Sequence, residues 1–135
     1  MAAMAVLTVL GGCSAWPTGS YVALGNDNDA SALAPAIVDP IVKATQPGQT
    51  VRLDVPGGEE DILTAMILAD LTSAKINLVN DRNATHQVDY IATPIGRDEM
   101  IRVTIDRNQG GAQLFHRDKD GYLQPGGPFM EVSQQ

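Results

Sequence analysis

The chain has 135 residues, 44% hydrophobic and 19% charged, which is ordinary globular material for one domain. Nine basic against sixteen acidic residues give a formal charge of -7, which argues against a nucleic-acid surface, because phosphate binding needs clustered Lys and Arg. Only 4% of residues are aromatic, so there is little material for stacking bases or for a sugar platform.

The apolar segment over residues 1–12 closes in the run Val6-Leu7-Thr8-Val9-Leu10-Gly11-Gly12-Cys13. It is too short to cross a bilayer, which takes about 20 apolar residues, and fits the apolar region of a signal peptide. Cys13 is the only cysteine, so an internal disulfide is excluded, and no neighbouring base marks it as a nucleophile. The competing structural reading is a cysteine buried in an apolar N-terminus. No Lys or Arg precedes Lys43, so the basic start of a signal peptide is missing. The expectation is a start upstream of Met1 or a trimmed chain. Leu10-Gly11-Gly12-Cys13 resembles the box of bacterial lipoproteins, a Leu, two small residues and the modified Cys. That resemblance implies that Cys13 begins the mature protein, with a diacylglycerol on sulfur and an acyl chain on the new amino terminus. By the family's sorting convention, Ser14 favours the outer membrane. Each buried methylene contributes about 0.8 kcal/mol and stable attachment takes two lipid signals, so such an anchor would be nearly permanent.

Residues 14–30 are small, polar and turn-rich and read as a tether. Tyr21-Val22-Ala23-Leu24 fits a short strand or a docking segment equally well. Asn26, Asp27, Asn28 and Asp29 lack the central Gly and later Glu of a calcium loop and read as a turn or cap. Ser31 is placed to cap a helix carrying Leu33, Ile37 and Ile41 on one stripe, with a kink or restart at Asp39-Pro40. Pro47-Gly48 ends it, and residues 50–55 alternate as a strand with Val51, Leu53 and Val55 on one face. Pro56-Gly57-Gly58 turns the chain. Glu59, Glu60 and Asp61 then load the first turn of a second helix, whose face is Leu63, Ile67 and Leu71, widened by Ile62, Met66 and Ala74. Consecutive helix positions point apart, so these three acids read as charge compensation rather than a metal or catalytic set.

Only strand signals follow: residues 76–79, 88–93, 101–105, 112–117 and 129–132, with turns at Asn108-Gln109-Gly110-Gly111 and Asp120-Gly121 and a break at Pro125-Gly126-Gly127-Pro128. The expected architecture is α+β, a two-layer sandwich with two helices on one face of a mostly antiparallel sheet. The expected organisation is a signal peptide over 1–12, the lipidated Cys13 and tether over 13–30, and a periplasmic domain over 31–135.

Catalytic chemistry leaves little trace. His86 and His116 lack a His, Cys or Asp at metal-ligand spacing and read as surface residues. Ser14, Ser20, Ser31, Ser73 and Ser133 lack an activating context, and no nucleophile elbow, Walker loop or paired-histidine helix occurs. Asp118-Lys119-Asp120-Gly121 resembles part of a metal loop, but a hairpin tip explains it. Pro56-Gly57-Gly58 offers amides to an anion that the acids behind it would repel. The expectation is therefore no enzyme, no catalytic, cofactor-binding or metal residues, and no cofactor. A sheet edge presenting unpaired amides offers contacts to a partner, against the alternative of a self-contained domain with protected edges.

The succession of lipid-box Cys13, tether, helix over 33–44, strand Val51-Arg52-Leu53, helix over 61–74 and strands ending in Asp120-Gly121-Tyr122-Leu123-Gln124-Pro125-Gly126-Gly127-Pro128-Phe129 is similar to the conjugal transfer lipoprotein TrbH family. The resemblance implies a lipid-anchored outer-membrane protein facing the periplasm, with a structural role in a conjugative type IV secretion (mating-pair formation) apparatus. The implied partners are other transfer-channel or envelope proteins, the membrane, and further copies of itself within an assembly. The implied functional residue is Cys13 alone. The alternatives are another envelope-assembly or secretin-associated lipoprotein and, from a different class, a lipid-anchored hydrolase or solute-binding lipoprotein.

Overall fold

The computed structural model describes residues 19–57 and 61–133, so Cys13, Glu59 and Glu60 lie outside the described residues. Two helices, α1 (Ala30–Ala44) and α2 (Ile62–Ser73), pack on one face of an eight-stranded sheet, the α+β two-layer architecture expected. The strands are β1 (Tyr21–Val22), β2 (Thr50–Leu53), β3 (Asn77–Leu78), β4 (His86–Ile95), β5 (Asp98–Ile105), β6 (Gln109–Arg117), β7 (Leu123–Pro125) and β8 (Met130–Ser133).

The sheet runs β3-β2-β4-β5-β6-β7. The long strands β4, β5 and β6 form an antiparallel meander, whereas β1 and β2 run parallel to β4, and β3 parallel to β2. With β5 on its other side, β4 receives β2 along its first half and β1 along its second. In the same way β6 receives β8 near its start and β7 near its end. Two long strands are thus each covered by two short ones set end to end.

α1 extends through both of its prolines. Leu33, Ile37 and Ile41 are fully buried, with Ala30, Ala34 and Val38 beside them, and Pro35 faces solvent. Burying each large apolar side chain contributes about 1.5–3 kcal/mol, enough to offset a lost i to i-4 bond without breaking the helix. Its start lies earlier than Ser31. A 3-10 turn over Asp27–Asp29 leads directly into it, capped by Asn26, whose side chain accepts from the Asn28 amide while Asp29 accepts from the Asn26 amide. Ser31 instead donates to the Asn28 carbonyl.

Residues 20–30, expected to belong to the tether, are part of the fold. Tyr21 and Val22 pair with β4, the Ala23 amide donates to Ala92, and Asp29 is buried. A turn-rich composition concealed a segment in which Ser20, the Gly25 amide and Asp29 are each bonded to residues of the folded body.

α2 buries Leu63, Ile67 and Leu71 as expected, but Ile62 is half exposed and Ala74 is exposed. The β5–β6 turn also lies earlier than expected. Asp106, Arg107 and Asn108 form the loop, with Asp106 and Arg107 at positive φ, and Gln109 already pairs with Ile105. Gly110 and Gly111 stand inside β6, where a side chain would overlap the Val103 carbonyl and the Phe129 ring respectively. Their small size serves close packing in the strand rather than the turn. Pro94 continues β4, at a level where β1 no longer pairs and only β5 is bonded.

Candidate functional site

Cys13, the one residue expected to carry a modification, is outside the described residues. Within them, polar side chains converge at two places.

The first is the junction of β2 and β1 along the β4 edge. The Ser20 hydroxyl accepts from the Tyr90 amide at 3.0 Å and donates to the Asp54 carbonyl, replacing the ladder bonds that neither short strand supplies there. The Ser20 amide donates to Asp54 Oδ2 at 2.8 Å, and the Gly19 amide to Asp89 Oδ2 at 3.3 Å. On the sheet face away from the helices, Gly19, Arg52, Asp54, Gln87, Val88, Asp89 and Arg107 line a cavity of about 340 Å³. Strand alternation puts Arg52 beside Gln87 in register, with Val51 and Val88 turned to the core. Burial pushes the Asp89 carboxyl above its ordinary range; the Gly19 amide opposes this, Asp54 adds to it and Arg107 opposes it. Arg52 and Arg107 have no hydrogen bond or ion pair among the described residues.

The second cluster lies on the helix side, at the start of α1. Arg117 from the end of β6 grips Asp29 with both nitrogens, at 2.9 and 2.8 Å, and also donates to the carbonyls of Arg97 and Gly121. The Asp29 carboxylate holds the guanidinium more firmly protonated than usual. Fully buried Glu99 accepts from the Gly25 amide at 3.2 Å through Oε1, while Oε2 has no partner among the described residues. Burial pushes its carboxyl above the ordinary range, Gly25 opposing, Asp29 adding and Arg117 opposing. Here a 3-10 turn, β5 and β6 are tied together, an arrangement that fits structural fastening.

Each histidine meets an aspartate across the β4–β5–β6 meander. His86 Nδ1 lies 2.8 Å from Asp106 Oδ2, with Gln49 on its other nitrogen, and His116 Nδ1 lies 2.7 Å from Asp98 Oδ2. His116 holds the Asp98 carboxyl below its ordinary range. Sequence spacing missed both pairs, because 20 and 18 residues separate the partners. Fixing the hairpin registers would have found them. Asp61 caps α2 through the Thr64 amide at 2.7 Å. Its other oxygen accepts from the Thr64 hydroxyl, which in turn meets the buried Tyr90 hydroxyl. Burial pushes the Tyr90 phenol up to about 12.

The Asp118-Lys119-Asp120-Gly121 segment is a hairpin tip in which the Asp118 carboxylate accepts from the Asp120 and Tyr122 amides. Among the described residues no group of three His, Cys, Asp or Glu side chains could hold a metal ion, and no helix is long and apolar enough to cross a membrane. Comparison with family models, with curated proteins and with solved structures returned no match.

Proposed function

We propose that this chain is a lipoprotein of the outer membrane with a structural role in a conjugative type IV secretion apparatus, anchored through Cys13 and acting by contact. The observation that carries the reading is the run Leu10-Gly11-Gly12-Cys13, joined to the TrbH-like order of elements behind it. The early start of the fold supports it further. Ser20 follows Cys13 by seven residues, which reach about 25 Å at most when fully extended, so an acylated Cys13 would hold the folded body close to the headgroups. Partners would then be met at the sheet margins, where the outer sides of β3, β7 and β8 pair with no other strand among the described residues and Tyr122 and Met130 are exposed.

The anchor is tested by feeding cells a fatty-acid probe and comparing the native chain with Cys13→Ser. Label on the first and none on the second is expected, and equal incorporation ends the lipoprotein reading. The assembly role is tested by purifying the native chain from membranes of cells that express its neighbouring genes. Co-purification of transfer-channel subunits is expected; recovery of the chain alone counts against that role.

A further inference from the structure

The cavity at the β2–β1 junction is not used by any contact role at the sheet margins. Two guanidinium groups that make no hydrogen bond or ion pair among the described residues line it, Arg52 from β2 and Arg107 from the β5–β6 turn, and Asp54 and Asp89, the latter within electrostatic reach of Arg107, stand in the same wall. Each carboxylate spends one oxygen on a backbone amide, of Ser20 and Gly19 respectively. Both carboxylates therefore keep accepting capacity, and both guanidinium groups keep donors in a fixed fork.

A simple anion would gain the two arginines but face both aspartates and a chain of net charge -7. A simple cation would face the converse repulsion from the arginines. A group carrying both signs satisfies the wall, with its anion on the guanidinium forks and its ammonium on the carboxylates. The volume of about 340 Å³ falls in the range of small-ligand sites.

Position selects among such groups. Gly19 is a lining residue and follows Cys13 by six residues, about 22 Å at full extension. A lipidated Cys13 would confine the cavity to that distance from the membrane surface. We infer that the Arg52, Arg107, Asp54 and Asp89 cavity takes the phosphoethanolamine headgroup of a membrane lipid, phosphate on the arginines and ammonium on the aspartates. This source rests on the anchor reading above; the chemistry of the cavity does not.

The test uses the full chain with Cys13→Ser, so that binding is read without an anchor, and follows backbone amide NMR shifts during titration with glycerophosphoethanolamine. Saturable shifts centred on Gly19, Gln87, Val88 and Asp89 are expected. Arg107→Gln and Asp89→Asn should each weaken the apparent affinity at least tenfold, and the same spectra report whether each variant is folded. Arg107→Lys keeps the charge and should retain part of the binding if the first variant is perturbed. Inorganic phosphate, ethanolamine and glycerophosphocholine, whose quaternary ammonium cannot donate, should each bind more weakly. Equal shifts with phosphate alone, shifts scattered elsewhere, or none would overturn the inference. A labelled Cys13 with no headgroup binding removes this inference and leaves the anchor. Headgroup binding with an unlabelled Cys13 removes the anchor and makes the ligand a free phosphoethanolamine.

Discussion

Glu99 shows how far a single residue's surroundings can depart from its sequence context. In the run Arg97-Asp98-Glu99 it reads as turn charge, yet alternation along β5 turns it to the core beside Phe115, where it is fully buried. Its carboxyl is held above the ordinary value by burial. The folded state therefore binds a proton more readily than the unfolded chain. The stability this group contributes is fully present below the ordinary value of 4.5 and is lost as pH rises through the folded value. Glu99→Gln keeps an acceptor for the Gly25 amide and removes the charge. It should raise stability at pH 7 by about 1 kcal/mol, an advantage that shrinks as pH falls through the raised folded value and is gone below 4.5, as read by urea unfolding at pH 7 and at pH 4. A variant less stable than the parent at pH 7 would contradict this. Asp98, one residue earlier, behaves oppositely because the His116 ring meets it at the surface.

At the scale of elements, α2 is fastened to the sheet by a chain of hydroxyls. Asp61 accepts from the Thr64 amide and hydroxyl, and the Thr64 hydroxyl, already donating to Asp61, receives the Tyr90 proton inside the core. Asp61 was legible as one of three acids in a first turn, whereas its distinct work as the cap was not, because capping depends on where the helix begins. Removing the cap also leaves one hydroxyl proton of the buried Thr64–Tyr90 pair without an acceptor, so Asp61→Ala should cost about 2 kcal/mol. Tyr90→Phe removes one hydrogen bond without leaving a donor unpaired and should cost about 1 kcal/mol. Chemical denaturation of the two variants checks the order, and equal losses would show that the cap carries no more than the phenol. The β5–β6 connection teaches a similar lesson. Asn108, Gly110 and Gly111 read as a turn from composition, but the Asp106 carboxylate, bonded to the Gln87 amide and His86, fixes the turn two residues earlier. A turn signal and a packing requirement both call for glycine, and composition alone does not separate them.

For the whole molecule, the decisive correction is the boundary of the folded body. Residues 31–135 were expected to form it, but β1 completes the β4 edge and Asp29 joins Arg117 across 88 residues. A fragment of residues 31–135 lacks both and should unfold at lower urea than residues 19–135, and in the longer fragment Asp29→Ala alone should cost about 2 kcal/mol, because it leaves Arg117 largely buried without its partner. Equal unfolding midpoints for the two fragments would restore the original boundary. The amino-acid sequence by itself determined the two helices, the alternating strands and hence the two-layer class, because periods of 3.6 and 2 are local properties of a chain that must bury one face. It also singled out Cys13. Only the tertiary structure decided that the supposed tether closes the sheet, that each histidine meets an aspartate, and that Arg52, Arg107, Asp54 and Asp89 share one cavity. Those facts depend on strand order and register, which bring together residues far apart in the chain and leave no periodic mark along it.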